Sequence, residues 1–322
     1  MNTKKPPFQP LAPPPDIKSK KVYIGTSGYY YDDWVGLFNP PRRRSAALPP
    51  DAPGEGDIQD RLRFYQRYFS FVEINSTYYR MPELAHFVDI ESRSRESMLY
   101  SVKVHKDLSH TKTFDANAGR ELMRHHIAAV SPLVETGRFY SFLIQLEDHL
   151  YRSSERLGYL LAVAFEAVGM HIDVHIEFRH KSWHTMGTLQ ALKDAGVGIC
   201  NTDLPPLPHA FPLRAYATTD KGYLRYNGRN LANWYPAGVQ TTAKEKIAAR
   251  NARYDYAYSP AEMADILKGQ LELMAKTSAI AAAYNNHYRI KAVLNAIDNI
   301  RLFKAFFEGQ VPEMQMRTSE DA

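Results

Sequence analysis

Short apolar runs alternate with stretches of helical spacing along most of the chain. The first run, 21–28, ends in the small polar turn Gly25-Thr26-Ser27-Gly28. Residues 57–69 then carry Ile58, Leu62, Tyr65 and Phe69 at spacings of three and four, which predicts a helix. Phe71, Val72 and Ile74 open a second strand. The pattern repeats: a helix from about 83, a strand over 98–104, a helix over 118–134, a strand over 139–146. Ser153 is the expected N-cap of a helix reaching 168. A strand over 172–178, a helix over 182–195 and a strand over 197–203 follow. A Pro-rich stretch (Pro205, Pro206, Pro208, Pro212) replaces the next helix before a strand over 222–226. A long loop then runs to Ser259, the expected cap of a helix to about 276. A strand over 279–284 and a helix over 288–307 close the chain.

Eight strands separated by helices predict a parallel sheet, and eight units predict a single-domain TIM-type (β/α)8 barrel with one irregular connection, between strands 6 and 7. A doubly wound open sheet is the rival. No Gly-rich dinucleotide fingerprint follows the first strand and no phosphate-loop sequence occurs, so it lacks its usual support.

Composition adds boundaries. Of the 322 residues, 44% are hydrophobic and 23% charged, as in a globular domain. Residues 1–20 hold six of the 20 prolines and read as a disordered lead-in; 308–322 read as a flexible tail. Residues 21–307 are the barrel domain, with 41–56 as a loop insertion. The net charge of +5 includes the triplet Arg42 to Arg44, without a dense basic stripe. The single cysteine, Cys200, excludes an intrachain disulfide and reads as a buried strand residue. No apolar window approaches a membrane span, and a cytoplasmic location is the expectation. Nothing in the pattern sets an oligomeric state.

The chemistry lies where the strands end. Loops after the strands of such a barrel share one face, so their polar residues can be read together. They are Ser27; Glu73, Asn75 and Thr77; Lys103 and His105; Gln145; Glu177, Arg179 and His180; Asp203; Arg225 and Asn227; and Asn285, Asn286 and His287. Polar endings on nearly every strand point to a pocket. Lys103 and His105, two apart on a strand, are expected on one face. Tyr29, Tyr31, Trp34, Tyr78, Trp183 and Trp234 offer stacking walls for a sugar or a base. His125-His126, adjacent on a helix, reads as a surface pair.

Three sequence blocks resemble a known family. They are Gly25-Thr26-Ser27-Gly28-Tyr29 with Tyr31, Trp34, Gly36, Phe38 and Pro40; Val72-Glu73-Ile74-Asn75-Ser76-Thr77-Tyr78-Tyr79; and Glu177-Phe178-Arg179-His180-Lys181-Ser182-Trp183. Arg225 with Gly228-Arg229-Asn230, the run 253–259, and Asn285-Asn286-His287 follow in order. This set is similar to that of the DUF72, or YecE-like, family over about residues 21–307. The resemblance implies a TIM barrel and names no reaction. Residues 41–56 depart from its pattern, as do Asn227 and Lys181, which stand where His and Pro are usual.

Three readings of the carboxylates Glu73, Glu177 and Asp203 stay open. With His105, His180 or His287 they can hold a divalent metal, although no short-range signature supports one. They can work as an acid/base pair in a hydrolase, lyase or isomerase, Lys103 and His180 assisting. Or Arg179 and Arg225 can neutralise them in a buried ion network. A small anionic or hydroxylated molecule is the expected partner. Alternatives are a nucleic acid contacted by Arg42 to Arg44, Arg229 and Arg253, or a non-catalytic protein partner met through an apolar patch.

Overall fold

The computed structural model describes residues 20–41, 60–236 and 238–308. The expected tails, except Lys20 and Glu308, and the 41–56 insertion, except Pro41, lie outside the described residues, as does the Arg42 to Arg44 triplet.

The strands are β1 (Lys21–Ser27), β2 (Phe71–Ile74), β3 (Leu99–Lys103), β4 (Phe139–Gln145), β5 (Val174–Glu177), β6 (Gly198–Asp203), β7 (Lys221–Tyr226) and β8 (Ala279–Tyr284). Each pairs in parallel with the next, and β8 pairs with β1 to close the barrel. Such strands are covered on both faces, which is why they read as nearly continuous apolar runs.

The helices are α1 (Arg61–Tyr65), α2 (Leu84–Ser92), α3 (Lys106–Ser109), α4 (Ala116–Glu135), α5 (Ser154–Val168), α6 (Met186–Asp194), α7 (Ala243–Arg253), α8 (Pro260–Met274) and α9 (Lys291–Phe307). The expected caps form: Ser153 accepts from the Arg156 N–H, and Ser259 with Glu262 makes a capping box with Pro260 at the first position. No helix separates β6 from β7, where the Pro-rich stretch runs.

Three expectations need correction. The stretch 227–259 is not all loop, because it contains α7. That helix buries no residue, so it carries no apolar stripe for periodicity to find. Its capping box, Thr242 with Glu245, was the available signal. The helix expected from 182 begins as a single 3₁₀ turn, Lys181–Trp183, before α6. His125-His126 is not a surface pair, since His126 is fully buried.

The lumen has two layers. The lower is a mostly apolar plug of Phe71, Tyr140, Leu143, Cys200, Tyr223, Ala281 and Ala283, with the buried His175 ring set against Tyr140 and Tyr223. A register shift between β3 and β4 lets Tyr140 and Leu143, three apart, both join it. Alanines on β8 leave room for the rings, and Phe71 meets Tyr223 edge-on at 6.0 Å. Gly25 is required where β1 crosses β2, because a Cβ there would lie 1.8 Å from the Phe71 carbonyl oxygen. Above this plug the lumen turns polar.

Candidate functional site

The polar layer is built around Arg225, on β7 and 1% exposed. Its Nε and Nη2 donate to the two oxygens of Glu73, at 2.8 and 2.9 Å, in a bidentate pair. Its Nη1 donates to Glu177. Ser27 and Tyr223 complete the Glu73 carboxylate at 2.7 and 2.6 Å. Arg179 Nε holds the other Glu177 oxygen at 2.8 Å. Glu73 and Glu177 are fully buried, and both carboxylates have all their oxygens occupied by donors. Burial raises the Glu177 pKa, but Arg225 and Arg179 outweigh it and hold the carboxyl below its usual value.

Lys103, at the end of β3, is the exception to this pairing. Its Nζ donates to Gln145 Oε1 at 2.9 Å and sits 3.8 Å from the centre of the Tyr78 ring. Arg179 and Arg225 donate to the same amide oxygen, at 3.1 and 3.2 Å. Among the described residues no carboxylate oxygen lies within 4.0 Å of Lys103. Burial, with the charges of Arg225 and Arg179, lowers the Lys103 pKa from 10.5 to about 7. Glu147 behaves in the opposite way: burial raises its pKa, but His110, Arg179 and Lys103 carry it well below the carboxylate range.

Over this layer opens a cavity of about 950 Å³. Lys103, Gln145, Arg225, Asn75 and Asn285 line its floor, and Tyr29, Tyr31, Tyr79, Tyr254, Arg250 and His287 are among its walls. Glu73 and Glu177 do not line it. Three of the lining residues hold buried polar atoms that lack partners among the described residues: Asn39 Oδ1 and Nδ2, Asn75 Oδ1 and His287 Nδ1. His287 stacks on Tyr31 at 4.1 Å, and burial lowers its pKa to about 3, so its ring is neutral at physiological pH.

The remaining expected site residues go elsewhere. Asp203 pairs with Arg229, which also reaches Glu262, and forms a separate cluster. Burial raises its pKa, and the single half-buried guanidinium does not reverse that. His180 accepts from the Ser182 N–H and meets Tyr151 and His209, away from the cavity. His105 and Lys103 do not share a strand face: β3 ends at Lys103, and His105 caps α3 by accepting from the Asp107 N–H. The His105 N–H is itself bonded to the buried His126 ring. Trp34 and Trp183 are fully buried and give their N–H groups to the His287 and Leu150 carbonyls. Trp234 is buried near Arg179 and Arg253. Thr77 bonds the Lys103 carbonyl, so it fixes the end of β3. Asn227 bridges Thr202 and Asn285, and Asn286 ties Tyr256 to Asn295.

Sequence reasoning missed Tyr223, Glu147, Arg250 and Tyr254. Tyr223 reads as core in an apolar strand, Glu147 stands just past the strand expected over 139–146 and was passed over, and Arg250 and Tyr254 lie far from any strand end in the long segment before Ser259. Among the described residues, no group of three His, Cys, Asp or Glu side chains could hold a metal ion. The arginines occupy the oxygens a cation would need. No helix among the described residues is long and apolar enough to cross a membrane.

No curated protein matches the chain. A DUF72 family protein from Thermotoga maritima is 27% identical, with a TM-score of 0.70 over 88% of this chain and 99% of its own. A DUF72 family protein from Enterococcus faecalis shares the fold, with a TM-score of 0.71 at 21% identity over 88% of this chain and 95% of its own. The family model described as protein of unknown function DUF72 matches residues 23–316. The chain therefore belongs to the DUF72 family.

Proposed function

We propose that the chain binds a small anionic, hydroxylated molecule in the mouth cavity. The observation that carries this reading is the cavity floor, where Lys103 has no carboxylate partner among the described residues. Arg250 adds positive charge to the lining, and Asn39, Asn75 Oδ1 and His287 Nδ1 stand ready for ligand hydroxyls. The chemistry this supports centres on Lys103. An acid/base role for Glu73 and Glu177 has less behind it, since both are buried beneath the floor and Glu177 is held ionised by two guanidinium groups.

A nucleic-acid partner also has less support. Arg229 is committed to Asp203 and Glu262, and Arg253 lies 5.4 Å from the Trp234 ring. The test is thermal unfolding of the full chain with inorganic phosphate and with glycerate. Both are expected to raise the midpoint of the wild type, and Lys103→Met is expected to remove most of that response. A midpoint that neither anion moves contradicts the proposal.

A further inference from the structure

Lys103 is unusual among the buried cations of this barrel. Arg225 meets two carboxylates and Arg179 meets Glu177, whereas Lys103 meets a neutral amide and the face of a tyrosine. Among the described residues, only one of its three ammonium hydrogens has an oxygen acceptor. That acceptor is shared with both arginines, so three cationic nitrogens converge on one uncharged oxygen. Lost hydration and the like charges of Arg225 and Arg179 disfavour an ammonium here; together they outweigh the opposite pull of Glu177 and Glu73 and favour the free amine. The group also lies on the floor of a cavity large enough for a small molecule and about one-tenth exposed to it. A neutral amine so placed is a nucleophile.

We propose that Lys103 captures the carbonyl group of the bound molecule as a Schiff base, which makes the ligand class a small hydroxylated aldehyde or ketone bearing an anionic group. This rests on the reading of the mouth cavity as an anion site. The nitrogen lone pair forms a bond to the carbonyl carbon, and the C=O π electrons move to oxygen. Transfer of the nitrogen's proton to that oxygen gives a carbinolamine. A further proton from solvent lets the hydroxyl leave as water, and the nitrogen lone pair forms the C=N bond. Amine, carbonyl and one proton thus become an iminium ion and water, with no change of oxidation state. The iminium restores the single positive charge that an ammonium would carry, and the Tyr78 ring and the Gln145 oxygen are placed to receive it. Such an intermediate draws electrons from the adjacent carbon, as enzymes that isomerise hydroxy-carbonyl compounds or cleave their C–C bonds require.

The experiment is reductive trapping. The full chain is incubated with dihydroxyacetone phosphate and cyanoborohydride at pH 7, and the modified residue is located by peptide mass spectrometry. At that pH, a pKa near 7 in place of 10.5 gives on the order of a thousand-fold more free amine than a solvated lysine has. One adduct, at Lys103, is expected, reaching half its maximal rate near neutral pH and suppressed at least several-fold by excess inorganic phosphate. Lys103→Arg is expected to remove it. Because mapping on the wild type identifies the residue, the outcome does not depend on that variant folding. Thermal protection by phosphate with Lys103 unmodified would overturn the Schiff base and leave the anion site standing. Absence of both protection and adduct would overturn both, and an adduct spread over surface lysines would overturn the Schiff base.

Discussion

Two halves of one floor carry positive charge in different ways. On the β7 side, Arg225 is locked between Glu73 and Glu177, with every carboxylate oxygen met by a donor. On the β3 side, Lys103 has a neutral amide and a ring face for partners. Burial is similar in the two halves, and the partners differ. The same desolvation therefore leaves one cation fixed in its charged form and brings the other to the edge of deprotonation. The first half is a frame, and the second is available for chemistry.

The largest effect that sharpens this contrast is expected from Arg225→Met. It leaves Glu73 and Glu177 buried with one guanidinium between them, and losing one member of a buried ion pair costs on the order of 3–5 kcal/mol. Urea unfolding is expected to show that loss or an unfolded chain; a midpoint near wild type would dissolve the frame. Glu73→Gln comes next. It strips Arg225 of its bidentate partner, for a loss of about 3 kcal/mol by the same reasoning. If Glu73 is instead a free catalytic carboxylate, stability should barely change while ligand response disappears.

Lys103→Met is expected to change stability by an amount that depends on pH. The folded pKa lies below that of the unfolded chain, so the folded state releases a proton and wild-type stability rises from about pH 7 towards 10.5. The variant lacks this term. Relative to wild type it should be most stable at pH 6 and lose ground steadily as pH rises, read from chemical denaturation at each pH. A pH-independent difference would contradict the assignment. The smallest effect belongs to His287→Phe, which removes a buried nitrogen that has no partner among the described residues. Stability should stay within about 1 kcal/mol or improve, while the midpoint shift produced by glycerate shrinks.

Much of the barrel was legible because burial on both strand faces leaves a direct trace in sequence. Ser153 and Ser259 marked helix starts for a local reason that no tertiary contact overrides. The helix α7 was not legible, because an element that buries nothing has no stripe. At the site, Glu73, Lys103, Gln145, Glu177, Arg179 and Arg225 were all named from their positions at strand ends, and the structure brings them together. Which cation meets which carboxylate was not legible, since pairing across the lumen depends on the stagger of strands far apart in sequence. Asp203 shows this: its strand also ends at the mouth, yet Arg229 draws its carboxylate into a different cluster. His105 failed for a simpler reason, as the strand stops two residues before it.

The contrast between the two halves can be measured at one atom. The ¹³Cε resonance of Lys103, assigned by its loss in Lys103→Met, can be followed through a pH titration with and without inorganic phosphate. A midpoint near 7 that moves upward when phosphate is added is the predicted result. A midpoint near 10.5, indifferent to phosphate, would show that Lys103 is an ordinary solvated cation and that the mouth holds no anion beside it.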